Sequence, residues 1–379
     1  MTLLAHRKVL AAEVRHHKPF DFYLLFVTLL LVLLGTVMVF SSSAISAAER
    51  FQDSYYFLKR ELIYVSAGLL LMFLVKRIPY RLWWKAVYPL LGVSFVLMLS
   101  THFLGGGGVN GAARWIRLGG FSFQPAELTK LALVIFMAYV LAKKQERIRD
   151  FVKGFLPVIS VAGVFILLTL AQRDLGGAAV IAAIVAMMLF VAGTRIAFLG
   201  GILLASLPVL YQAVFSVEFR RRRILAFLDP WRYQLDSGFQ IIQSFVAFQS
   251  GGLTGVGLGE GKQKLFYLPE AHTDFIFSVI GEELGLLGVL AVVTLFTFFV
   301  FRGFMITLKS RDLFGLYLSF GITALIGLQA FVNMAVVMGL FPTKGLVLPF
   351  LSYGGTALLV DLIAVGILLN ISTDTEGET

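Results

Sequence analysis

The chain has 379 residues, 58% of them hydrophobic and 14% charged, with a formal net charge of +10. Soluble domains carry roughly 25% charged residues, so the composition excludes a water-soluble globule and marks a polytopic membrane protein. The lack of cysteine excludes disulfides, thiolate metal sites and cysteine nucleophiles. The positive charge sits in short segments between apolar runs, as membrane topology demands, and gives no support to nucleic-acid binding.

The first apolar run begins at Phe22, after Arg7, Lys8, Arg15 and Lys18. It is too long for a signal peptide and lacks a small-residue cleavage site, which predicts a retained span. A span needs about 20 apolar residues, and ten runs qualify, near 22–45, 60–76, 84–104, 125–142, 154–171, 176–193, 196–215, 275–301, 313–338 and 351–370. The expected fold is all-α, a single domain over 1–379 built as a bundle of ten transmembrane helices. Residues 1–21 form a cytoplasmic N-terminus, 22–215 carry helices 1–7, 216–274 form a large extracytoplasmic loop, 275–370 carry helices 8–10, and 371–379 are a short acidic tail. Lys76, Arg77, Arg81 and Lys85, then Lys143, Lys144, Arg147, Arg149 and Lys153, then Arg195, then Arg302, Lys309 and Arg311 fall on one side, which the positive-inside rule makes the cytoplasm.

The outward connections carry the chemistry. In the first, Gly105 to Gly108, Asn110, Gly111, Arg114, Trp115 and Arg117 lead into Gln124, Pro125 and a helix on which Glu127 and Lys130, three apart, share a face. An internal ion pair is the plain reading of those two. Asp174 follows Gln172 and Arg173 at another outward turn. The large loop holds Arg220 to Arg223, which either meet anionic headgroups or touch substrate, a turn at Asp229-Pro230-Trp231, and an amphipathic segment from Gly238 to Gln243 suited to the membrane surface. The last break runs from Phe341 through Lys344 to Ser352, Tyr353 and Gly354, with Trp115 and Tyr353 also readable as interfacial anchors.

The stretch from Ser250 to Gly288 concentrates these features. Gly251, Gly252, Gly255, Gly257, Gly259 and Gly261 with Lys262 and Lys264 make a loop suited to an anion. Thr273 then reads as the N-cap, and Asp274 as a first-turn residue, of a long apolar helix whose dipole favours the ionised carboxylate. Glu282 and Glu283 lie about 12 Å further along that helix and point about 100° apart, so at least one is structural. Asp361, in the last span, is a functional candidate because ionisable groups are costly there. The Gly-rich run fails the Walker pattern at Val256 and Gln263, no H-E-x-x-H or G-x-S-x-G occurs, and zinc or serine-hydrolase chemistry has no support.

Several longer motifs now stand in order: Val39-Phe40-Ser41-Ser42, Arg114-Trp115-Ile116, Gln124 to Lys130, Asp174-Leu175-Gly176, Phe227 to Trp231, Gln263 to Phe275, Gly281 to Gly285 and Pro349 to Gly355. With them the chain resembles the SEDS family (shape, elongation, division and sporulation) of peptidoglycan polymerases. It looks most like the cell-division branch, because elongation-type members usually have an uncharged residue where this chain has Lys344. Arg173 departs from the family's common Pro, Gly261 from Ser, and Thr356-Ala357 from a Ser pair.

The resemblance implies a glycosyltransferase that polymerises lipid II on the outer face of the bacterial cytoplasmic membrane, at the division septum. Asp274 matches the family's essential loop aspartate and would act as base. Arg114, Gln124, Glu127, Lys130, Asp174, Lys264, Glu270, Lys344 and Ser352 are the substrate-binding candidates. Leaving-group charge would be met by Lys130, Lys344, Arg114 or a divalent cation, with no protein metal ligands assigned. For Lys130 and Lys344 the plain alternative is neutralisation of Glu127 or Glu270. Implied partners are lipid II and the nascent glycan strand, a class B penicillin-binding protein and other divisome membrane proteins. An elongation-type polymerase, a lipid II flippase and a noncatalytic divisome scaffold are the rival readings, and mostly apolar span centres favour an enzyme over the flippase.

Overall fold

The computed structural model describes residues 20–104, 114–118, 121–265 and 267–375, so the expected Gly105 to Gly111 loop, most of the N-terminal segment and the end of the acidic tail lie outside the described residues. The helices are α1 (Phe22–Phe51), α2 (Tyr56–Lys76), α3 (Trp83–Leu104), α4 (Pro125–Lys143), α5 (Leu156–Ala171), α6 (Leu175–Val191), α7 (Ile196–Phe215), α8 (Glu218–Leu228), α9 (Phe239–Gly251), α10 (Ile276–Leu308), α11 (Leu313–Val337) and α12 (Gly355–Thr375). Among the described residues seven helical segments are long and apolar enough to cross a membrane. The other three expected spans are helical too: α6 and α7 are apolar but shorter in their unbroken runs, and α2 opens with Lys59, Arg60 and Glu61.

An all-α expectation misses one element. β1 (Ile116–Leu118) pairs antiparallel with β2 (Phe121–Phe123), Ile116 opposite Phe123. This hairpin leads straight into α4, where Pro125 takes the first helical turn as its fixed φ allows. α4 is the axis of the bundle, buried around nearly its whole circumference and packed by α3, α11, α6 and α12. α2 lies on the other flank, against α12 and α1.

Polar locks close the end of the bundle away from the hairpin. Asp21 caps α1 through Leu24 N at 2.8 Å and pairs with Arg302 at 2.6 Å, joining α1 to α10. The Tyr80 hydroxyl donates to Asp312 at 2.6 Å, and Asn370 bridges Tyr80 N and Lys76 O.

The expected uninterrupted span from residue 275 is broken. At Gly285 the backbone turns to φ 65°, ψ −162°, splitting α10 into two arms. The Gly-rich loop fills the gap: Val256 N and Gly257 N donate to Glu282 O and Glu283 O, and Leu286 N and Leu287 N donate to Gly252 O and Leu253 O, all within 3.2 Å. A Cβ at Gly255 would sit 2.1 Å from Glu283 O, so glycine is required there. Irregular backbone survives inside a membrane bundle only when its groups are satisfied in this way.

The loop does bind an anion, but the anions are the protein's own. Lys262 N and Gln263 N donate to the Glu282 carboxylate at 2.7 and 3.2 Å, and Gly259 N donates to Glu283 at 3.1 Å. Both glutamates are therefore structural and grip one loop from two sides, with Gly261 between them. The Gly238 to Gln243 segment begins α9, which packs beside the first arm of α10 through the Ser244–Ser278 hydroxyl pair at 2.7 Å.

Candidate functional site

The helix carrying the expected N-cap starts later than its sequence indicates. α10 begins at Ile276 without a side-chain cap, and Thr273 spends its hydroxyl on Glu270, 2.8 Å from the carboxylate. Residues 270–275 instead form a compact turn in which Phe275 N and Thr273 N both donate to Glu270 O, with Glu270 itself at φ 56°. Asp274 sits on this turn, ahead of the helix.

Three groups fix that turn. Asn333 of α11 donates one amide to Asp274 O at 2.9 Å and to Leu346 O. Ser352 Oγ donates to Thr273 O at 2.6 Å, and Tyr353 N donates to His272 O at 2.9 Å. Gly345 approaches so closely that a Cβ there would lie 2.9 Å from Asp274 Oδ2.

The Asp274 side chain opens into a cavity of about 350 Å³. Arg114, Gln124, Glu127, Lys130, Asp174, Glu270 and Asp274 all line it, so the structure gathers seven of the sequence candidates around one space. Lys130 lies at its floor, 2% exposed, and pairs with Glu127 at 2.7 Å, the plain reading of that spacing. Asp174 caps α6 through Gly177 N at 2.9 Å. Arg114 donates to the carbonyls of Gln172 and Arg173, at the turn where Arg173 takes φ 61°, a conformation closed to proline.

Other candidates lie elsewhere. Lys264 is buried away from the cavity, 2.6 Å from Glu283 and 3.1 Å from Ser41, because a loop lysine with no water must find a carboxylate. Ser352 spends its hydroxyl on backbone, donating to Thr273 O and accepting from Leu348 N at 2.8 Å. Lys344 flanks the cavity beside Gly345; burial lowers its pKa, and the carboxylate opposing that is Asp174 rather than Glu270.

Sequence reasoning missed Arg60 and Tyr64 of α2 and Gln329 of α11, which also line the cavity. Arg60 and Tyr64 stand one turn apart in the run expected near 60–76, and no motif carried them. Arg223, from the run expected to meet either anionic headgroups or substrate, donates to Thr343 O at 3.3 Å.

Burial pushes the Asp274 carboxyl up to about 7; neighbouring Glu270 adds to the rise, and Arg223 and Arg114 oppose it. Desolvation thus outweighs the helix dipole that would favour the ion. A carboxylate titrating near neutral pH is a far better base than an ordinary aspartate. His272, half-buried against Phe57 and Tyr353, has its pKa lowered by that desolvation. Among the described residues no three His, Cys, Asp or Glu side chains gather as a metal site.

The pattern that defines the FtsW/RodA/SpoVE family, described as cell cycle protein, matches residues 22–377. The chain is 51% identical over 369 residues to a Geobacter sulfurreducens (strain DL-1 / KN400) protein named probable peptidoglycan glycosyltransferase FtsW, covering 97% of this chain and 99% of that one. It is 42% identical to stage V sporulation protein E of Bacillus subtilis (strain 168) over 353 residues, 93% of this chain and 96% of that one. Its fold is similar to a chain solved in work on structural coordination of polymerization and crosslinking by a peptidoglycan synthase complex, with TM-score 0.77, 31% identity, and 95% and 99% of the two chains covered. It is also similar to the rod shape determining protein RodA of Thermus thermophilus, with TM-score 0.69, 28% identity, and coverage of 94% and 97%. Sequence and fold agree over nearly the whole length, and the chain belongs to the FtsW/RodA/SpoVE family of cell cycle proteins.

Proposed function

We propose that the chain is a peptidoglycan glycosyltransferase that extends glycan strands from lipid II during septal wall synthesis. The observation that carries this reading is Asp274, a half-buried carboxylate titrating near 7 on the wall of a cavity that also holds Arg114, Lys130 and Arg60. The acceptor's sugar 4-hydroxyl gives its proton to Asp274 as its oxygen attacks the donor's anomeric carbon. The bond from that carbon to the phosphate oxygen breaks, its electron pair leaves with polyprenyl pyrophosphate, and the configuration inverts. Arg223 and Arg114, the cations that Asp274 faces, meet the charge that develops on the leaving group.

The placement of polar groups favours an enzyme over a flippase. Glu127, Lys130 and Asp361 all fall within the first two turns of their helices at the cavity end, and Asn333 falls in the last turns of α11. Beyond them α4 and α12 continue as apolar sequence, with no polar track for a headgroup to follow across the bilayer.

Ten membrane crossings, both termini in the cytoplasm and the cavity facing outward fit the basic short connections. A class B penicillin-binding protein is the partner this reading implies. Purified protein incubated with lipid II, with and without that transpeptidase, should yield glycan chains, and no polymer under either condition would overturn the reading.

A further inference from the structure

We propose that Arg60, backed by Tyr56 and Tyr353, is a second pyrophosphate subsite that holds the acceptor's lipid-linked phosphates, apart from the cations that face Asp274. The proposal rests on the polymerase reading above. Chain extension joins two polyprenyl-pyrophosphate sugars. The donor's pyrophosphate starts on the carbon under attack, and so it lies within one sugar carbon of the hydroxyl that Asp274 deprotonates, on that carbon's other face. The acceptor's pyrophosphate lies at the far end of its own disaccharide, two sugar rings from the attacking hydroxyl. One cluster of cations beside the base cannot serve both.

The structure brings cations to the cavity from separate elements. Arg223 and Arg114 face Asp274, anchored to Thr343 O and to the turn that opens α6. Arg60 comes from α2, which packs on α12 and α1. Its guanidinium lies 4.6 Å over the Tyr56 ring and close enough to Tyr353 to act on its hydroxyl electrostatically. The Tyr56 ring is itself stacked on Phe51 at 3.8 Å and meets Phe57 edge-on at 5.3 Å, and Tyr353 packs edge-on against Phe57 at 5.1 Å.

Arg60 has no carboxylate within ion-pair distance among the described residues, unlike Lys130 and Lys264. An arginine whose only role is to anchor a helix at the interface would point to headgroups, whereas this one lines the same cavity as Asp274. Stacked on an aromatic ring, its planar fork is preorganised for a phosphate.

The test separates the two substrates. A lipid-linked disaccharide blocked at its terminal 4-position serves only as donor, and one with a methylene in place of the anomeric bridging oxygen serves only as acceptor. For Arg60→Gln the acceptor concentration at half-maximal coupling should rise about tenfold or more, the loss of one charge-assisted contact, with the donor's value unchanged. Arg60→Lys should recover part of the loss, and Arg114→Gln should shift the donor's value instead.

An acceptor disaccharide lacking pyrophosphate should serve parent and Arg60→Lys protein equally poorly, which reads the subsite even if Arg60→Gln fails to fold. Equal shifts for donor and acceptor, or an unchanged acceptor value, would overturn the assignment. No coupling by the parent protein would instead sink the polymerase reading itself.

Discussion

Lys264 and Glu283 meet at 2.6 Å with both side chains out of water, where the Gly-rich loop threads the break in α10. Removing one partner of a buried pair strands the other charge at a cost of about 3–5 kcal/mol. Lys264→Met should therefore lower the thermal midpoint in detergent strongly, and Glu283→Gln combined with it should restore part of the loss. Substrate affinity of the folded fraction should not change. Weaker lipid II binding at an unchanged midpoint would return Lys264 to the substrate site.

Asp274→Asn keeps the shape and an acceptor oxygen but cannot take a proton. Polymerisation should fall roughly 10²- to 10⁴-fold, about 3 to 5.5 kcal/mol of barrier, while the protein still inserts and recruits its transpeptidase. For the parent, the rate should climb with pH through about 7 and then level off, as the carboxylate forms. Near-parental synthesis by Asp274→Asn would refute the base assignment.

The same residue sets a stability trend with a definite sign. Its folded pKa of about 7 lies above an unfolded value near 3.9, so its stabilising contribution is full below about pH 4 and is lost as pH rises through 7. Asn imitates the protonated form, so Asp274→Asn should melt higher than the parent at pH 8, with the gap closing toward pH 4. A gap independent of pH would count against the buried carboxyl.

Lys130 lies at the cavity floor, where both of the weighed roles meet. Lys130→Met should lose stability and lipid II binding together, since its pair with Glu127 is buried and lines the cavity. Adding Glu127→Gln should restore the melting temperature but not binding. Recovery of both would reduce the lysine to a structural counter-ion.

Gly285 occupies a backbone region essentially closed to other residues, worth of order 1–3 kcal/mol of strain, and a Cβ there would lie 2.3 Å from Gly255 N. Gly285→Ala should cut the yield of folded protein, while Leu287→Ala, at an exposed position two residues on, should not. Reporter fusions at Lys144 and Gly259 should report opposite compartments, and the same side for both would overturn the ten-span topology.

Apolar run length located the long helices of the bundle but not α8 and α9, which lie within the expected large loop, and spacing alone found the Glu127–Lys130 pair. Tertiary effects were invisible to the same reasoning. Lys264 and Lys344 look alike in sequence, yet one is consumed by Glu283 and the other flanks the cavity. The break at Gly285 was not legible because its unsatisfied backbone groups are met by backbone from a loop some thirty residues earlier. Arg60 escaped notice because only packing of α2 against α12 turns it toward Asp274's cavity. The raised pKa of Asp274 likewise depends on burial that no neighbouring residue in the chain announces.

Asn333 holds Asp274 O and Leu346 O with one amide, and Ser352 ties the same turn from still further along the chain. Synthesis runs from the N-terminus, so a ribosome that has passed Asp274 has yet to make the groups that aim it. The nascent protein should consequently stay inactive at least until Asn333 and Ser352 have been made and packed. Separating the gene between codons 309 and 312 tests this: neither fragment should polymerise alone, and co-insertion of the two should restore synthesis.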